Sequence, residues 1–344
     1  MTKRIISAFI TFVSLWSAGA VLNQEAAAQS KTGTTVGQFL LIEPSARLAA
    51  MGNAGVATYA ETMSSFYNPA AAGMLTGYNA QFTHSQWLAD ISYNYATVAI
   101  APGRWGTLFF NFTSLSSGDI AVRTVDAEEG TGEFYSVTDI AIGVGYSRQF
   151  TDKFSAGVHV NYFQETIWNS SLNSVTFSVG AIYRLSPGGL HIGASISNFG
   201  TRAKYSGRDL KFQYDSDPNT NGGNGSLPAE LSVDEFDMPT IFRVGLSLPV
   251  NLTNDQKATF VIDAFHPGDN TESLSLGAEW TFRNLLSVRG GYQNLFQQDS
   301  ETGLSLGAGL QYTLSSDDVV RFDYAWTNYN RLIATHRFTL GVSF

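Results

Sequence analysis

Cysteine is missing from the 344-residue sequence, which excludes disulfides, lipoprotein acylation and thiolate metal sites. Charged residues are scarce: they make up 14% of the chain, whereas soluble domains carry about 25%. The formal net charge is −9, so the chain has no excess of basic residues for binding nucleic acid. Aromatic residues, in contrast, reach 13%. Few charges and many aromatics are typical of a protein with a lipid-facing surface.

The first 28 residues have the pattern of a secretory signal peptide. Lys3 and Arg4 precede an apolar run from Ile5 to Leu22, and Ala26–Ala28 provide an A-x-A cleavage site. We expect residues 1–28 to be removed, because serines and a glycine dilute the run and argue against an uncleaved anchor. Beyond this segment no apolar run approaches the ~20 residues of a membrane-spanning helix. The exported chain is therefore either soluble or a β-barrel of the outer membrane.

Apolar residues alternate with small or polar ones from residue 77 onwards. In residues 338–344, for example, every second position is phenylalanine, leucine or valine, and the positions between are threonine, glycine or serine. This period predicts strands, and they are about twice as long as the ~5–6 residues of ordinary soluble strands. The pattern therefore predicts an all-β membrane protein, a 14-stranded antiparallel transmembrane β-barrel over residues 77–344. The predicted strands are 77–86, 91–101, 105–115, 134–149, 153–167, 172–185, 189–199, 239–249, 257–266, 272–283, 285–296, 302–314, 318–327 and 333–344.

The connections between these strands fall into two classes. Tight turns such as Pro102-Gly103 and Arg283-Asn284 alternate with a second set that is mostly longer, of which residues 200–238 are the longest. Bacterial barrels have short periplasmic turns and longer extracellular loops. We therefore expect both termini in the periplasm and residues 200–238 outside the cell.

Residues 29–76 differ from the rest of the chain and are predicted to form an N-terminal plug (hatch) of short helices inside the barrel. Ser45 is placed to cap one helix, and Asn68-Pro69 resembles a cap followed by proline at the first helical position. Gly52 and Gly55 interrupt the helical pieces. None of the pieces is long enough to be stable alone in water, so each must pack against the barrel wall.

Charged residues of both signs are predicted to face the barrel lumen. Mixed signs inside a narrow barrel favour ion pairs that hold a plug and stiffen the wall, and a solute pathway is the alternative. The predicted lumenal residues are Arg184, Arg243, Asp263, Glu279, Arg289, Arg321 and Asp323.

Patterns that suggest chemistry are weak. Residues 215–221 alternate acidic or amide side chains, but they lack the glycine and closing glutamate of a calcium loop. The G-x-S-x-G match at residues 303–307 lies inside a predicted strand, whereas a nucleophile needs a strand-to-helix turn. The five histidines have no metal-ligand spacing. We predict no catalytic, cofactor or metal site, and hence a protein that is not an enzyme.

Three motifs in the plug resemble the N-terminal signature of the PorV/PorQ family, which comprises FadL-like outer-membrane β-barrels associated with the type IX secretion system. They are PSAR at 44–47, MGNAGVA at 51–57 and YNPA at 67–70. The residues that carry this plug motif are Pro44, Arg47, Gly52, Asn53, Gly55, Asn68 and Pro69.

The resemblance implies a location in the bacterial outer membrane and a role in protein secretion. PorV-like members are shuttles for cargo that carries a C-terminal signal domain, and PorQ-like members help to anchor the attachment machinery. The implied partners are outer-membrane lipid, the secretion translocon, the attachment machinery and secreted cargo. The alternatives are a FadL-like channel for hydrophobic small molecules and a structural or adhesive barrel.

Overall fold

A computed structural model describes residues 31–344, except for 60, 187, 217–218, 220–226, 298–299 and 315–317. The predicted signal peptide and part of the calcium-like pattern at 215–221 therefore lie outside the described residues. Fourteen long strands form one sheet in which every neighbouring pair is antiparallel, and a two-residue strand, Ser206–Gly207, adds to it beside Ser170–Ser171. The long strands are β1 (Gly77–Gln86), β2 (Ser92–Ala101), β3 (Thr107–Ser116), β4 (Val137–Thr151), β5 (Phe154–Ile167), β6 (Ser170–Arg184), β7 (His191–Gly200), β8 (Ile241–Asn251), β9 (Gln256–Pro267), β10 (Ser273–Phe282), β11 (Leu286–Leu295), β12 (Leu304–Thr313), β13 (Val319–Thr327) and β14 (Thr335–Ser343).

The sheet closes on itself, because the first strand pairs with the last. Asn79 in β1 lies opposite Ser343 in β14, and the register continues without a break to Gln86 opposite His336. Closure leaves no unpaired strand edge, which is what allows a sheet to cross a membrane. The structure therefore confirms the predicted 14-stranded barrel, and no predicted strand end differs from the observed end by more than three residues.

Side chains alternate between the outer surface and the lumen along the strands. In β3, Leu108, Phe110 and Phe112 are 43–48% exposed on the outside, whereas Phe109 and Asn111 are buried inside. The outward residues of neighbouring strands form a continuous apolar belt of leucine, isoleucine, valine and aromatic side chains. This belt faces lipid in an outer-membrane barrel.

The two ends of the barrel differ in the length of their connections. At one end, which we call the turn end, six connections of two to six residues join the strands. The other end, the loop end, carries the 20-residue connection 117–136 and the 40-residue connection 201–240. Each of these contains a two-stranded pair, Ile120–Ala121 with Phe134–Tyr135 and Lys211–Tyr214 with Leu227–Glu230. By the rule for bacterial barrels, we expect the loop end to be extracellular.

Short helices occupy the lumen between residues 38 and 74. Two α-helices, α1 (Ala46–Ala49) and α2 (Ser64–Tyr67), are accompanied by 3₁₀ turns at Gln38–Leu41 and Pro69–Met74. None of the described helices is long and apolar enough to cross a membrane. Almost every residue from 44 to 72 is buried, because each short helix packs against the inner face of the strands.

The described part of the plug begins at the loop end. Thr35 forms a parallel bridge with Asp237 in the long loop, and the Val36 amide donates to the Asp237 carbonyl oxygen at 3.1 Å. The chain then descends through the lumen to Gly77, which lies beside Phe344 at the turn end. Thr35 and Phe344 therefore lie at opposite ends of the barrel, and the expectation that the N-terminus is periplasmic concerns residues outside those that the structure describes. The sequence pattern identifies a plug but contains no signal for the direction in which it crosses the lumen.

Candidate functional site

Helix α1 brings the plug motif into contact with the barrel wall. The Ser45 hydroxyl caps this helix by accepting from the Leu48 amide at 3.1 Å, and it donates to a Glu61 carboxylate oxygen at 2.5 Å. Pro44, which precedes the cap, is also buried. The cap fixes the start of the helix, and Arg47, two residues after Ser45, reaches the wall.

Arg47 belongs to a linear group of four alternating charges, which we call the ion chain. Its Nε and Nη2 donate to the two carboxylate oxygens of Glu279 at 2.8 and 2.7 Å. Glu279 also accepts from Arg289 Nε at 2.6 Å, and Arg289 Nη1 donates to Asp323 at 2.6 Å. All four side chains are at least 92% buried. Two positive and two negative charges leave the ion chain neutral overall.

The ion chain keeps Arg47 charged although it is buried. Burial alone lowers the pKa of this guanidinium, but the field and hydrogen bonds of Glu279 outweigh burial and raise the pKa above its usual value. A buried pair with bidentate geometry of this kind holds its partners in one orientation. It therefore ties α1 to strands β10, β11 and β13.

The other predicted lumenal charges lie elsewhere. Arg321 approaches Glu61 at 3.8 Å, and Arg243 approaches Glu43 at 3.9 Å. Asp263 accepts from the Val56 amide at 2.8 Å. Arg184 lies at the turn end, where it donates to the Asp152 carbonyl oxygen and faces the ring of Tyr59. Of the seven predicted residues, three join Arg47 in the ion chain, and the other four contact other parts of the plug.

Sequence reasoning overlooked the two glutamates of the plug. Glu43 and Glu61 each face an arginine of the wall, and Glu61 also accepts from Gln81 Nε2 at 3.2 Å. The signal for them was present, because Glu43 and Glu61 are the two acidic residues in the sequence of the predicted plug, 29–76.

The remaining motif residues fix the backbone of the plug. Gly52 has φ +68°, and a Cβ at this position would lie 2.7 Å from the Leu276 carbonyl oxygen of the wall. The neighbouring Asn53 also has positive φ and donates to Gln293 at 2.7 Å. Gly55 packs against Leu48 with no room for a side chain. The plug backbone therefore touches the wall directly here.

Asn68 joins three segments through one side chain. Its Oδ1 accepts from the Ala70 amide at 3.0 Å and caps the turn that Pro69 begins. Its Nδ2 donates to the carbonyl oxygens of Val56 at 2.8 Å and of Ala181 in β6 at 3.0 Å. The Asn-Pro pair thus serves as a cap and as a link between plug and wall.

The serine of the G-x-S-x-G match also holds the plug. Ser305 is buried, its hydroxyl accepts from the Gly52 amide at 3.1 Å, and it donates to the Ala50 carbonyl oxygen at 3.3 Å. Both hydrogen bonds engage the backbone, as a structural serine does. Within the described residues, no three histidine, aspartate or glutamate side chains come together in a way that could hold a metal ion.

A cavity of about 720 Å³ lies at the loop end, above the plug. Apolar side chains from the plug and from the ends of several strands form much of its wall. Its polar residues include four carboxylates, of Glu43, Asp139, Glu165 and Asp269, and the guanidinium of Arg243. The apolar wall residues are Phe39, Leu41, Ile42, Trp87, Ile91, Leu115, Ile241, Phe265, Pro267 and Tyr329.

Unsatisfied hydrogen-bond donors line this cavity. Among the described residues, Nε and Nη2 of Arg243 and Nε2 of Gln293 have no hydrogen-bond partner, although all three atoms are buried. Burial raises the pKa of Glu43, and the nearby Arg243 and Arg337 oppose that rise. The cavity thus combines an apolar wall, an excess of carboxylates and N–H groups that can donate to a ligand oxygen.

Comparison with solved structures agrees with the barrel fold. The CymD monoaromatic hydrocarbon channel superposes with a TM-score of 0.56 at 15% identity, over 88% of this chain and 97% of that chain. The Ralstonia pickettii toluene transporter TbuX superposes with a TM-score of 0.51 at 14% identity, over 88% of this chain and 97% of that chain. A FadL homologue of Pseudomonas aeruginosa gives 0.51 at 12% identity, over 88% and 98%. Likeness at these identities shows the fold alone.

Sequence comparison identifies the family. No curated protein matches the chain. The family model described as type IX secretion system protein PorV matches residues 25–212, which is more than half of the chain. The match covers the whole plug motif and strands β1–β7. The chain is thus a bacterial outer-membrane β-barrel, and it belongs to the PorV family of type IX secretion system proteins.

Proposed function

We propose that this barrel is a carrier in type IX secretion. It accepts secreted cargo through the C-terminal signal domain of the cargo and passes that domain to the attachment machinery at the cell surface. The observation that supports this role, beyond the family, is the closed lumen. The ion chain and the hydrogen bonds of Ser305 and Asn68 hold the plug in place, so cargo binds at the loop end and does not pass through the barrel.

Deletion of the gene tests the carrier role. Surface delivery of cargo with a C-terminal signal domain should fall, and the wild-type gene should restore it. Unchanged delivery in a strain without paralogues overturns the proposal. An intermediate result is informative as well: cargo that reaches the surface but is not attached indicates the anchoring role.

A FadL-like channel for hydrophobic small molecules is the second candidate. The loop-end cavity, with its largely apolar wall, favours it, because a hydrophobic solute needs such an entry site. The two candidates make opposite demands on the plug. A channel must move the plug to let a solute pass, whereas a carrier works with the plug fixed.

A cross-link between plug and wall separates the two candidates. Ala49 in α1 and Ala325 in β13 belong to one buried cluster, and the chain has no cysteine that would compete for a disulfide. We expect the oxidised Ala49→Cys/Ala325→Cys variant to deliver cargo as well as its reduced form does. Loss of delivery on oxidation, restored by reductant, contradicts a carrier with a fixed plug. The single variant Ala325→Cys is the matched control.

A further inference from the structure

The loop-end cavity has more negative charge than its neighbours neutralise. Of its four carboxylates, Glu43 alone faces a cation, the Arg243 guanidinium. Glu165 accepts from the Gly37 amide at 2.9 Å and from the Tyr205 hydroxyl at 3.0 Å, both uncharged donors. In the part of the chain that the structure describes, no ion pair includes Asp139, Glu165 or Asp269.

The two long connections at the loop end also carry a net negative charge. Residues 117–136 contain five acidic side chains and one arginine, and residues 201–240 contain seven acidic and four basic ones. Charges of one sign around a low-dielectric cavity reinforce one another and attract the opposite charge. The mouth of the barrel therefore favours cations over anions.

The side chains inside the cavity favour a ligand with two further properties, an apolar surface and hydrogen-bond acceptors. Phe39, Trp87 and Ile241 are among the apolar side chains that a ligand would cover. Arg243 and Gln293 offer buried donors without partners, and the carbonyl oxygens of a peptide backbone would satisfy them. A fatty acid supplies the apolar body and an oxygen acceptor, but its negative charge meets three uncompensated carboxylates.

We propose that the cavity binds a short peptide segment in which apolar side chains alternate with lysine or arginine. The apolar side chains cover the wall, the basic ones face Asp139 and Asp269, and backbone carbonyl oxygens accept from Arg243 and Gln293. This inference rests on the carrier function proposed above, and it names the chemistry by which the carrier recognises cargo. Charge complementarity selects this occupant over an anionic or neutral one.

Peptide binding to the purified full-length barrel in nanodiscs of zwitterionic lipid tests the proposal, with empty nanodiscs as the background. The probe is a fluorescent synthetic peptide with blocked ends that alternates leucine with lysine. Matched probes carry glutamine or glutamate in place of lysine. We expect the lysine peptide to bind about tenfold tighter than the glutamine peptide at low salt, and the difference to shrink as salt is added. The glutamate peptide should bind most weakly.

Two substitutions locate the site. Asp139→Asn and Asp269→Asn keep the shape of each side chain, and each should weaken the lysine peptide about three- to fivefold without affecting the glutamine peptide. Asp126→Asn is the matched control, because Asp126 is exposed in the 117–136 loop and does not line the cavity. Thermal melting of each variant checks that the barrel is intact.

The outcomes separate this inference from the carrier function. Equal binding of the lysine and glutamine peptides overturns the inference, and so does an Asp139→Asn/Asp269→Asn variant that binds both as the wild type does. If deletion of the gene still abolishes delivery in that case, the carrier function stands without this site. Charge-selective peptide binding together with normal delivery in the deletion strain keeps the site and overturns the carrier function.

Discussion

Replacing Glu279 by glutamine should loosen the plug more than any other single change of similar size. The carboxylate receives three charge-assisted hydrogen bonds, two from Arg47 and one from Arg289. A glutamine keeps the volume, but its amide turns a donor towards at least one guanidinium and leaves two cations facing the single charge of Asp323. Removing one partner of a buried ion pair costs about 3–5 kcal/mol, because the remaining charge stays buried without compensation.

Hydrogen exchange followed by mass spectrometry measures this loss where it occurs. In the purified barrel, amides of residues 46–57 should lose protection in Glu279→Gln, whereas amides of the distant strand pair β4–β5 should not change. Glu272→Gln is the matched control, because Glu272 is exposed and pairs only with the exposed His266. Surface pairs contribute about 0–1 kcal/mol, so this control should exchange like the wild type.

A second substitution tests the electrostatic origin of the effect. In Arg47→Met/Glu279→Gln the ion chain keeps one cation, Arg289, and one anion, Asp323, and is neutral again. We expect the double variant to recover part of the lost protection, so that the two changes are clearly not additive. The reasoning is refuted if Glu279→Gln leaves the plug fully protected, or if the double variant is worse than the sum of its two single changes.

Three further predictions concern the plug. Gly52→Ala should destabilise the plug by about 2–4 kcal/mol, because the new Cβ strains a positive φ and meets a carbonyl oxygen of the wall. Gly33→Ala is the control: Gly33 also has a positive φ, +83°, but has open space around it, so this change should cost about 1 kcal/mol. Chemical denaturation compares the stability of the two variants. Asn68→Ala removes the cap on Ala70 and the bond to the Val56 carbonyl oxygen, and proteolysis should detect a loss of about 1–3 kcal/mol. The raised pKa of Glu43 means that the folded protein binds this proton more tightly than the unfolded chain does. The charge of Glu43 therefore opposes folding above the usual pKa of 4.5, so Glu43→Gln should stabilise the protein at pH 7. Below pH 4.5 the wild-type carboxyl is protonated as well, and the melting temperatures of the two proteins should converge.

The strands could be predicted because the signal for them is local. A period of two residues decides which side chains face lipid, and an error of one residue would place a whole strand's apolar side chains in the lumen. The same logic reaches one contact inside the barrel. The tight turn predicted at Arg283-Asn284 places β10 beside β11, so Glu279 and Arg289 are expected to be near each other. Their exact pairing follows from the observed three-residue connection 283–285, which sets Glu279 opposite Arg289.

Contacts between plug and wall could not be derived in this way. Arg47 and Glu279 are 232 residues apart, and no repeat or turn links their positions. The predicted strand end at residue 185 already places Arg184 beside a turn, but the strand pattern does not show which lumenal charges meet Arg47 of the plug. Those contacts are set by how the plug threads the lumen, and that depends on the whole fold.

The position of the cavity relative to the plug bears on how a carrier and a channel could share one fold. The cavity lies on the loop-end side of the ion chain, and the plug residues Phe39 and Ile42 form part of its wall. A ligand that binds there adds contacts to the plug as it stands, so binding opposes plug movement. Transport would need a ligand that gains more contacts once the plug has moved, and this ligand would have to break the ion chain, which is neutral overall. A peptide held at the cell surface needs neither step, because the closed plug is itself part of its binding site.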